Sequence, residues 1–400
     1  MTDELRERAR ELKRELRETC GVARGEARVV LSPYRVCPIG AHVDHQLGLV
    51  CGMAINRSVL LAYAPSGTGE VRLRSRDFPG EVRFSLDDIP PARGEDWGNY
   101  VRGAALALKR EHTLKQGIVG LVAGSMPIGG LSSSAAVGIA YLFALEEANS
   151  LALDAKANIR LMQVIENEYI GLNNGILDQS MILLSERGRL VSLDCLTEEG
   201  ETVAPGAAMP QFAIAVVYSG VSEALVSTDY NRRVAECEEA ARLLLRAAGL
   251  EAPPGAKLRH VPREVFEAYA RELPHNLRRR ATHFFGELKR VEQGVAAWRA
   301  GDLTRFGELV SASGESSIVN YECGSPELTE IYRLLLACEG VYGARFSGAG
   351  FRGSCIALCS PEAEEEIRRA MEEEYARKFP KLAGSFEVHL CSPDDGARFV

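Results

Sequence analysis

The chain has no Gly-x-x-x-x-Gly-Lys-Ser/Thr stretch, which excludes the common P-loop as its phosphate site. Its ten cysteines include no Cys-x-x-Cys pair and sit in no His/Cys cluster. Neither a zinc site nor a disulfide framework is signalled, and reduced thiols in a cytoplasmic protein are the expectation. No apolar run reaches the length of a membrane span, and nothing in the first residues resembles a signal peptide. A basic surplus is also lacking: 47 Lys and Arg face 55 Asp and Glu, a net charge of −8, which argues against general nucleic-acid binding. The local run Arg278-Arg279-Arg280 has Glu287 and Glu292 nearby and reads as a solvated helix face. There is no internal repeat and no regular strand–helix alternation, so a doubly wound fold is not expected.

What is present suits a globular protein of two normal-sized domains: 400 residues, 46% hydrophobic and 26% charged. The pattern reads as α+β in two halves, 1–205 and 206–400. A charged helix with a narrow Leu5, Leu12, Leu16 stripe opens the chain over 3–18. Strands are expected at 27–31 and 58–65, and a hairpin over 71–86 turns at Pro79-Gly80. Helices are expected at 100–111, 133–149 and 155–171, with a strand at 117–123 and a helix start near Asp178. The second half predicts a strand at 211–218, then helices at 232–248, 262–273, 277–300, 304–314 and 327–337. Short strands at 344–346, 353–358 and 385–391 and a helix at 362–378 complete it.

Three turn-rich segments carry chemistry. The first, Ser32-Pro33-Tyr34-Arg35 through Gly40-Ala41-His42-Val43-Asp44-His45-Gln46, packs basic, acidic and imidazole groups into one loop, as recognition of several sugar hydroxyls requires. The second, Gly129-Gly130-Leu131-Ser132-Ser133-Ser134-Ala135, leads from a strand into a helix. Glycines allow close backbone approach there, and free N–H groups at the helix start suit a phosphate, although a serine N-cap explains the same residues. The third, Ser347-Gly348-Ala349-Gly350-Phe351-Arg352-Gly353, lies between strand-like segments and lacks the helix that a dinucleotide fingerprint needs. Asp178, after Asn174-Gly175, and Glu166 on the preceding helix add two carboxylates. Trp97 and Tyr100 put two aromatics near a helix start, suited to purine stacking or to core packing.

Taken in this order, the segments resemble the GHMP kinase superfamily, and within it the galactokinases. Asn174-Gly175-Ile176-Leu177-Asp178-Gln179 is similar to a galactokinase motif, and so is the stretch from Asp229-Tyr230 through Glu239. The resemblance implies a two-domain GHMP kinase fold, with an S5 domain 2-like N-terminal half, a ferredoxin-like C-terminal half and the active site between them. It implies a sugar 1-kinase using ATP with Mg²⁺, with Asp178 as base and Arg35 beside it. His42, Asp44, Gly175 and Tyr230 would line the sugar. Ser134 and Glu166 would hold Mg²⁺. Trp97 and Tyr100 would border adenine, and Gly129 to Ala135 with Gly348 and Gly350 would cradle the phosphates.

The first segment departs from galactokinases at two positions. They carry Glu where this chain has Ala41, and Tyr where it has His45. The missing carboxylate would cost a buried 6-hydroxyl its acceptor, about 1–3 kcal/mol. A sugar carboxylate, by contrast, gains: two anions about 4 Å apart repel by roughly 4 kcal/mol at an effective dielectric near 20. The segment resembles that of plant galacturonokinases, so a hexuronic acid, D-galacturonate, is the expected substrate. His45, as hydrogen-bond donor or cation, and Arg57 and Arg102 are candidates to meet its carboxylate. A galactokinase and a non-catalytic sugar sensor are the alternatives. The sequence does not set the oligomeric state.

Overall fold

The structure, a computed structural model, describes residues 3–94, 96–126, 131–221 and 230–400. The first half runs α1 (Asp3–Cys20), β1 (Arg28–Ile39), β2 (Leu49–Pro65), β3 (Glu70–Ser75), β4 (Glu81–Ser85), α2 (Asn99–Glu111), β5 (Ile118–Ala123), α3 (Ser133–Ala148), α4 (Ala155–Gln163), α5 (Leu177–Leu184), β6 (Leu190–Asp194) and β7 (Glu199–Val203). The second runs β8 (Ala213–Tyr218), α6 (Tyr230–Ala247), α7 (Arg263–Tyr269), α8 (His275–Ala300), α9 (Leu303–Ser316), α10 (Pro326–Ala337), β9 (Val341–Phe346), β10 (Ser354–Cys359), α11 (Glu364–Ala370), β11 (Glu387–Cys391), β12 (Pro393–Asp394) and β13 (Arg398–Phe399).

The larger sheet has the order β13-β1-β2-β5-β3-β4, with β12 and β6 also on β2 and β7 on β6. The β3–β5 pair is parallel. The smaller sheet has the order β11-β8-β10-β9. The last strands, β12 and β13, return from the second sheet to pair with β2 and β1 of the first. Period-two burial divides the first sheet. Val30 and Leu61 face the main core, while Val29, Leu31, Leu60 and Ala62 face outward. The amphipathic α1 covers that outer face with Ala9, Leu12 and Leu16, each buried leucine contributing about 1.5–3 kcal/mol.

β1 is much longer than the expected 27–31. The segment that reads as a loop is strand as far as Ile39, and only the stretch beyond it leaves the sheet. Two prolines misled the reading. The strand accommodates them through register shifts between Pro33 and Arg35 and between Val36 and Ile39, since a bulge tolerates a missing ladder donor. The helix expected over 155–171 is α4 continued by a π-helical turn, Val164–Ile170, and α9 likewise ends in a π-turn, Ser317–Tyr321. The basic run is not a solvated face. Arg280 is 1% exposed and is held by Glu236 and Glu322, both at 2.6 Å. These partners lie on α6 and beyond α9, out of reach of a local reading.

α9 lies directly on β9. A Cβ added at Gly343 would sit 2.0 Å from the Gly307 carbonyl oxygen, so neither glycine has room for a side chain. Gly343→Ala is expected to lower stability by about 3 kcal/mol through backbone overpacking, measured as the shift of the urea unfolding midpoint.

Candidate active site

Arg35 is aimed by the first bulge of β1. Its backbone N–H donates to the Leu131 carbonyl at 3.4 Å instead of to a ladder partner. Its side chain, 3% exposed, donates from Nε to Asp178 Oδ1 at 2.8 Å and from Nη1 to Ser347 Oγ at 3.4 Å. Burial alone would weaken the guanidinium's hold on its proton; the Asp178 charge and hydrogen bond outweigh that and raise its pKa. Asp178 is the second residue of α5, not its cap. Ser132 donates its hydroxyl to the other carboxylate oxygen, Asp178 Oδ2. That serine stands at the N-cap position of α3 with a left-handed backbone, φ 56°, and makes no side-chain bond to the helix. A non-glycine residue held in that region stores strain, and here the hydroxyl it delivers goes to Asp178. The contribution of Ser132 to Asp178 had no signal in the sequence.

One wall of the site holds imidazoles and an acid. Gly175 packs flat on Asp44, where an added Cβ would lie 2.5 Å from Asp44 Oδ2. Asp44 also accepts from the Leu177 N–H at 3.4 Å, which ties it to the start of α5. Burial, with the nearby Asp178 charge, pushes its pKa up to about 6. His42 stacks on Tyr321, ring centroids 4.4 Å apart and 11° from parallel. Tyr230 meets His45 edge-on at 6.0 Å. The Leu258 N–H donates to Gln46 Oε1 at 3.1 Å, which turns Gln46 Nε2 toward His45 Nδ1 at 3.0 Å. His45 therefore carries its proton on Nε2 and donates to the Tyr321 hydroxyl at 3.1 Å. Burial, with Lys257 nearby, lowers the His45 pKa to about 3. At neutral pH His45 is not a cation, and its one N–H is already given to Tyr321, so in this arrangement neither expected role toward a sugar carboxylate is open to it.

Helix α8 holds this wall from behind. His283 Nε2 donates to the Ala41 carbonyl at 3.0 Å, and Glu287 accepts from the Gly40 N–H at 2.6 Å. Burial would raise the Glu287 pKa, but Arg290, His283, Arg345 and Ser313 together hold it below the usual carboxylate range. Ser313 Oγ donates to Glu287 Oε2 at 2.8 Å and accepts from the buried Arg345. A polar chain thus runs from β9 through α9 and α8 to the loop. Ala41 is 7% exposed, with its backbone fixed by this contact. The other proposed cations are engaged elsewhere: Arg102 with Asp96 at 2.8 Å, and Arg57 with the Asn56 carbonyl at 3.3 Å.

A third group gathers at the start of α3. Burial, with the nearby charges of Glu166 and Asp178, raises the Tyr100 pKa. Glu166, 1% exposed on the π-turn after α4, accepts from Asn174 Nδ2 at 3.2 Å through Oε2, while its Oε1 has no partner. Burial, with Asp178 nearby, pushes its pKa up to about 8. An orphaned buried carboxylate oxygen in the field of a second carboxylate, Asp178, fits a hard divalent cation such as Mg²⁺. Among the described residues no cluster of three or more His, Cys, Asp and Glu side chains offers a fuller metal cage.

Leu131 and Ala135 bury their side chains in the core, and Ser133 opens α3. Gly129 and Gly130 lie outside the described residues. Gly348 and Gly350 take left-handed conformations, φ 69° and 75°, in the turn between β9 and β10. Trp97 pairs with Phe78 and donates from Nε1 to the Pro79 carbonyl at 3.4 Å. All ten cysteines are free thiols, and among the described residues no helix is long and apolar enough to cross a membrane.

Comparison with known proteins gives three family matches. Residues 15–65 match the galactokinase galactose-binding signature, residues 99–186 the GHMP kinases N terminal domain, and residues 295–377 the GHMP kinases C terminal model. A galacturonokinase of Arabidopsis thaliana is 46% identical, the match covering 97% of each chain. A galactokinase of Roseiflexus sp. (strain RS-1) is 33% identical over 92% of each. The crystal structure of Lactococcus lactis galactokinase complexed with galactose superposes with a TM-score of 0.89 at 30% identity, covering 97% of this chain and 99% of that one. The mevalonate kinase of Methanococcus jannaschii shares the fold, with a TM-score of 0.66 at 17% identity. A two-domain α+β chain with these three loops, this Arg–Asp pair and these relatives belongs to the GHMP kinases and, within them, to the galactokinase group of sugar kinases.

Proposed function

We propose that the protein transfers the γ-phosphoryl group of ATP to the anomeric hydroxyl of D-galacturonate, giving galacturonate 1-phosphate and ADP. The observation that carries the substrate is Ala41. It stands in the wall beside His42 and Asp44, its backbone pinned by His283, and brings no carboxylate to that position. Its 46% identical relative is named a galacturonokinase, which supports the same reading. His42, Asp44, His45, Gly175 and Tyr230 line the sugar, and neutral His45 and His42 spare an acidic sugar a repulsive anion.

Asp178 takes the proton of the anomeric hydroxyl as its oxygen attacks the γ-phosphorus and the bond to the β-phosphate oxygen breaks. Arg35 holds the carboxylate in place and supplies positive charge where the transferring group gathers it. Ser132 fixes the second carboxylate oxygen, so Asp178 has little freedom to rotate away. The backbone from Gly129 to Ala135, at the N-terminal end of α3, and Gly348 and Gly350 cradle the phosphates. Ser134 and Glu166 would hold Mg²⁺, which when bound neutralises phosphate charge. Trp97 and Tyr100, near the start of α2, border the adenine. We read residues 1–205 and 206–400 as the two domains, the Gly348 to Gly353 turn reaching the site from the second.

The test is kcat/KM for galacturonate, galactose and glucuronate measured side by side with ATP. Galacturonate is expected to exceed galactose by at least about tenfold, the value of one unsatisfied buried group. A preference for galactose rejects the substrate, and ADP release with none of the three sugars rejects the kinase reading.

A further inference from the structure

The loop that carries position 41 is bent through an uncommon backbone conformation. Gly40 and His42 both lie in the left-handed region, with φ 91° and 63°. Only glycine fits the first position: a Cβ there would sit 2.7 Å from the Leu49 carbonyl oxygen and 2.9 Å from Val291 Cγ2 on α8. His42 does carry a side chain, and a non-glycine residue at positive φ is disfavoured against its relaxed conformer by roughly five- to a hundredfold. Contacts from the surrounding structure must outweigh that preference.

The far end of the loop is closed by its own backbone, the Gln46 and Gly48 N–H groups donating to the Val43 carbonyl at 3.0 and 2.9 Å. The near end takes its bonds from side chains of α8. Glu287 accepts from the Gly40 N–H at 2.6 Å, and His283, 1% exposed, meets the Ala41 carbonyl at 3.0 Å. A carbonyl only accepts, so His283 carries its proton on Nε2, and Nδ1 accepts from the Ser316 hydroxyl at 2.9 Å. Ser316 in turn accepts from Asn320 Nδ2 at 3.1 Å, which leaves the serine's own proton for the imidazole. Burial lowers the His283 pKa to about 4, so at neutral pH the ring is uncharged and this tautomer persists. The Ala41 carbonyl belongs to the rigid peptide plane that leads into His42. For His42 to relax to negative φ that plane would have to turn over, and the carbonyl would leave His283.

We propose that His283 is a positioning residue for the sugar: its N–H on the Ala41 carbonyl, backed by Ser316 and Asn320 and flanked by Glu287 on Gly40, holds His42 in the left-handed conformation that aims it at the substrate. The proposal rests on the reading of this wall as the sugar site. Set in that conformation, the His42 ring stacks on Tyr321, and position 41 faces the sugar with its backbone unable to retreat.

The experiment is steady-state kinetics of the full chain with galacturonate, with MgADP affinity read by calorimetry on the same variants. His283→Phe keeps a ring and removes the N–H. It is expected to raise the galacturonate KM about tenfold, with kcat and MgADP affinity within threefold of the parent. His283→Gln keeps a side-chain N–H and is expected to recover most of that loss. Ser316→Ala removes the group that fixes the tautomer and is expected to raise KM about threefold. A KM within twofold of the parent for His283→Phe overturns the proposal; if that variant does not fold, the same result for Ser316→Ala does. An MgADP affinity that falls as far as KM rises also overturns it, as does a His283→Gln no better than His283→Phe, since either marks a merely structural role. Failure of the substrate reading would look different: the parent itself would prefer galactose or release no ADP with any of the sugars.

Discussion

Ala41→Glu is expected to lower kcat/KM for galacturonate by about a thousandfold and to raise that for galactose. The estimate follows from charge: a carboxylate about 4 Å from the sugar's own carboxylate, at an effective dielectric near 20, repels it by roughly 4 kcal/mol. For galactose the same side chain supplies the acceptor that a 6-hydroxyl lacks here, worth about 1–3 kcal/mol. The two effects have opposite signs, so the ratio of the two specificities moves further than either value. The backbone will not shift to relieve the new side chain, because His283 and Glu287 grip residues 40 and 41 from α8. Steady-state kinetics on both sugars decides it. A uniform loss on both would mean that position 41 shapes the pocket without reading the sugar's C6 group.

Asp178→Asn is expected to reduce kcat by a thousandfold or more, on the order of what a positioned general base contributes. The amide oxygen can still accept from Arg35, so the pair's geometry is retained while the capacity to take a proton is lost. MgADP affinity, read by calorimetry, is expected to stay within about threefold, since the proposed nucleotide site, at the start of α3 and the glycine turn, leaves Asp178 to the sugar. Substantial residual turnover would transfer the base role elsewhere or leave the sugar hydroxyl to deprotonate late. The nearest other carboxylates do not offer a ready substitute. Glu166 is pushed up to about 8 by burial and is held by Asn174, and Asp44 is packed against Gly175.

Much of the fold was legible because its signals are local. Helical periodicity placed α3, α6, α8 and α10 within a few residues, and the β3–β4 hairpin followed from Pro79-Gly80 between alternating apolar positions. Errors arose where distant partners override local preference. Pro33 and Pro38 read as loop but sit at strand bulges, because β2 supplies the ladder on either side. β6, β12 and β13 are short strands recruited by β1 and β2, and β7 is recruited by β6; none has a strong pattern of its own. Arg280 read as surface because the acids that bury it come from other elements.

The sequence by itself determined the order of the three loops, the kinase family they denote and the missing acid at position 41. Each of these is written in residue identity and short-range spacing, where glycine, serine and proline have fixed conformational meaning. Only the tertiary structure decided that Arg35 and Ser132 share the carboxylate of Asp178, that Trp97 joins Phe78, and that His45 is uncharged. Arg35 and Asp178 are 143 residues apart in the chain. Charge state and hydrogen-bond direction are sums over burial and fields from such distant groups, and no window of sequence contains the terms of that sum.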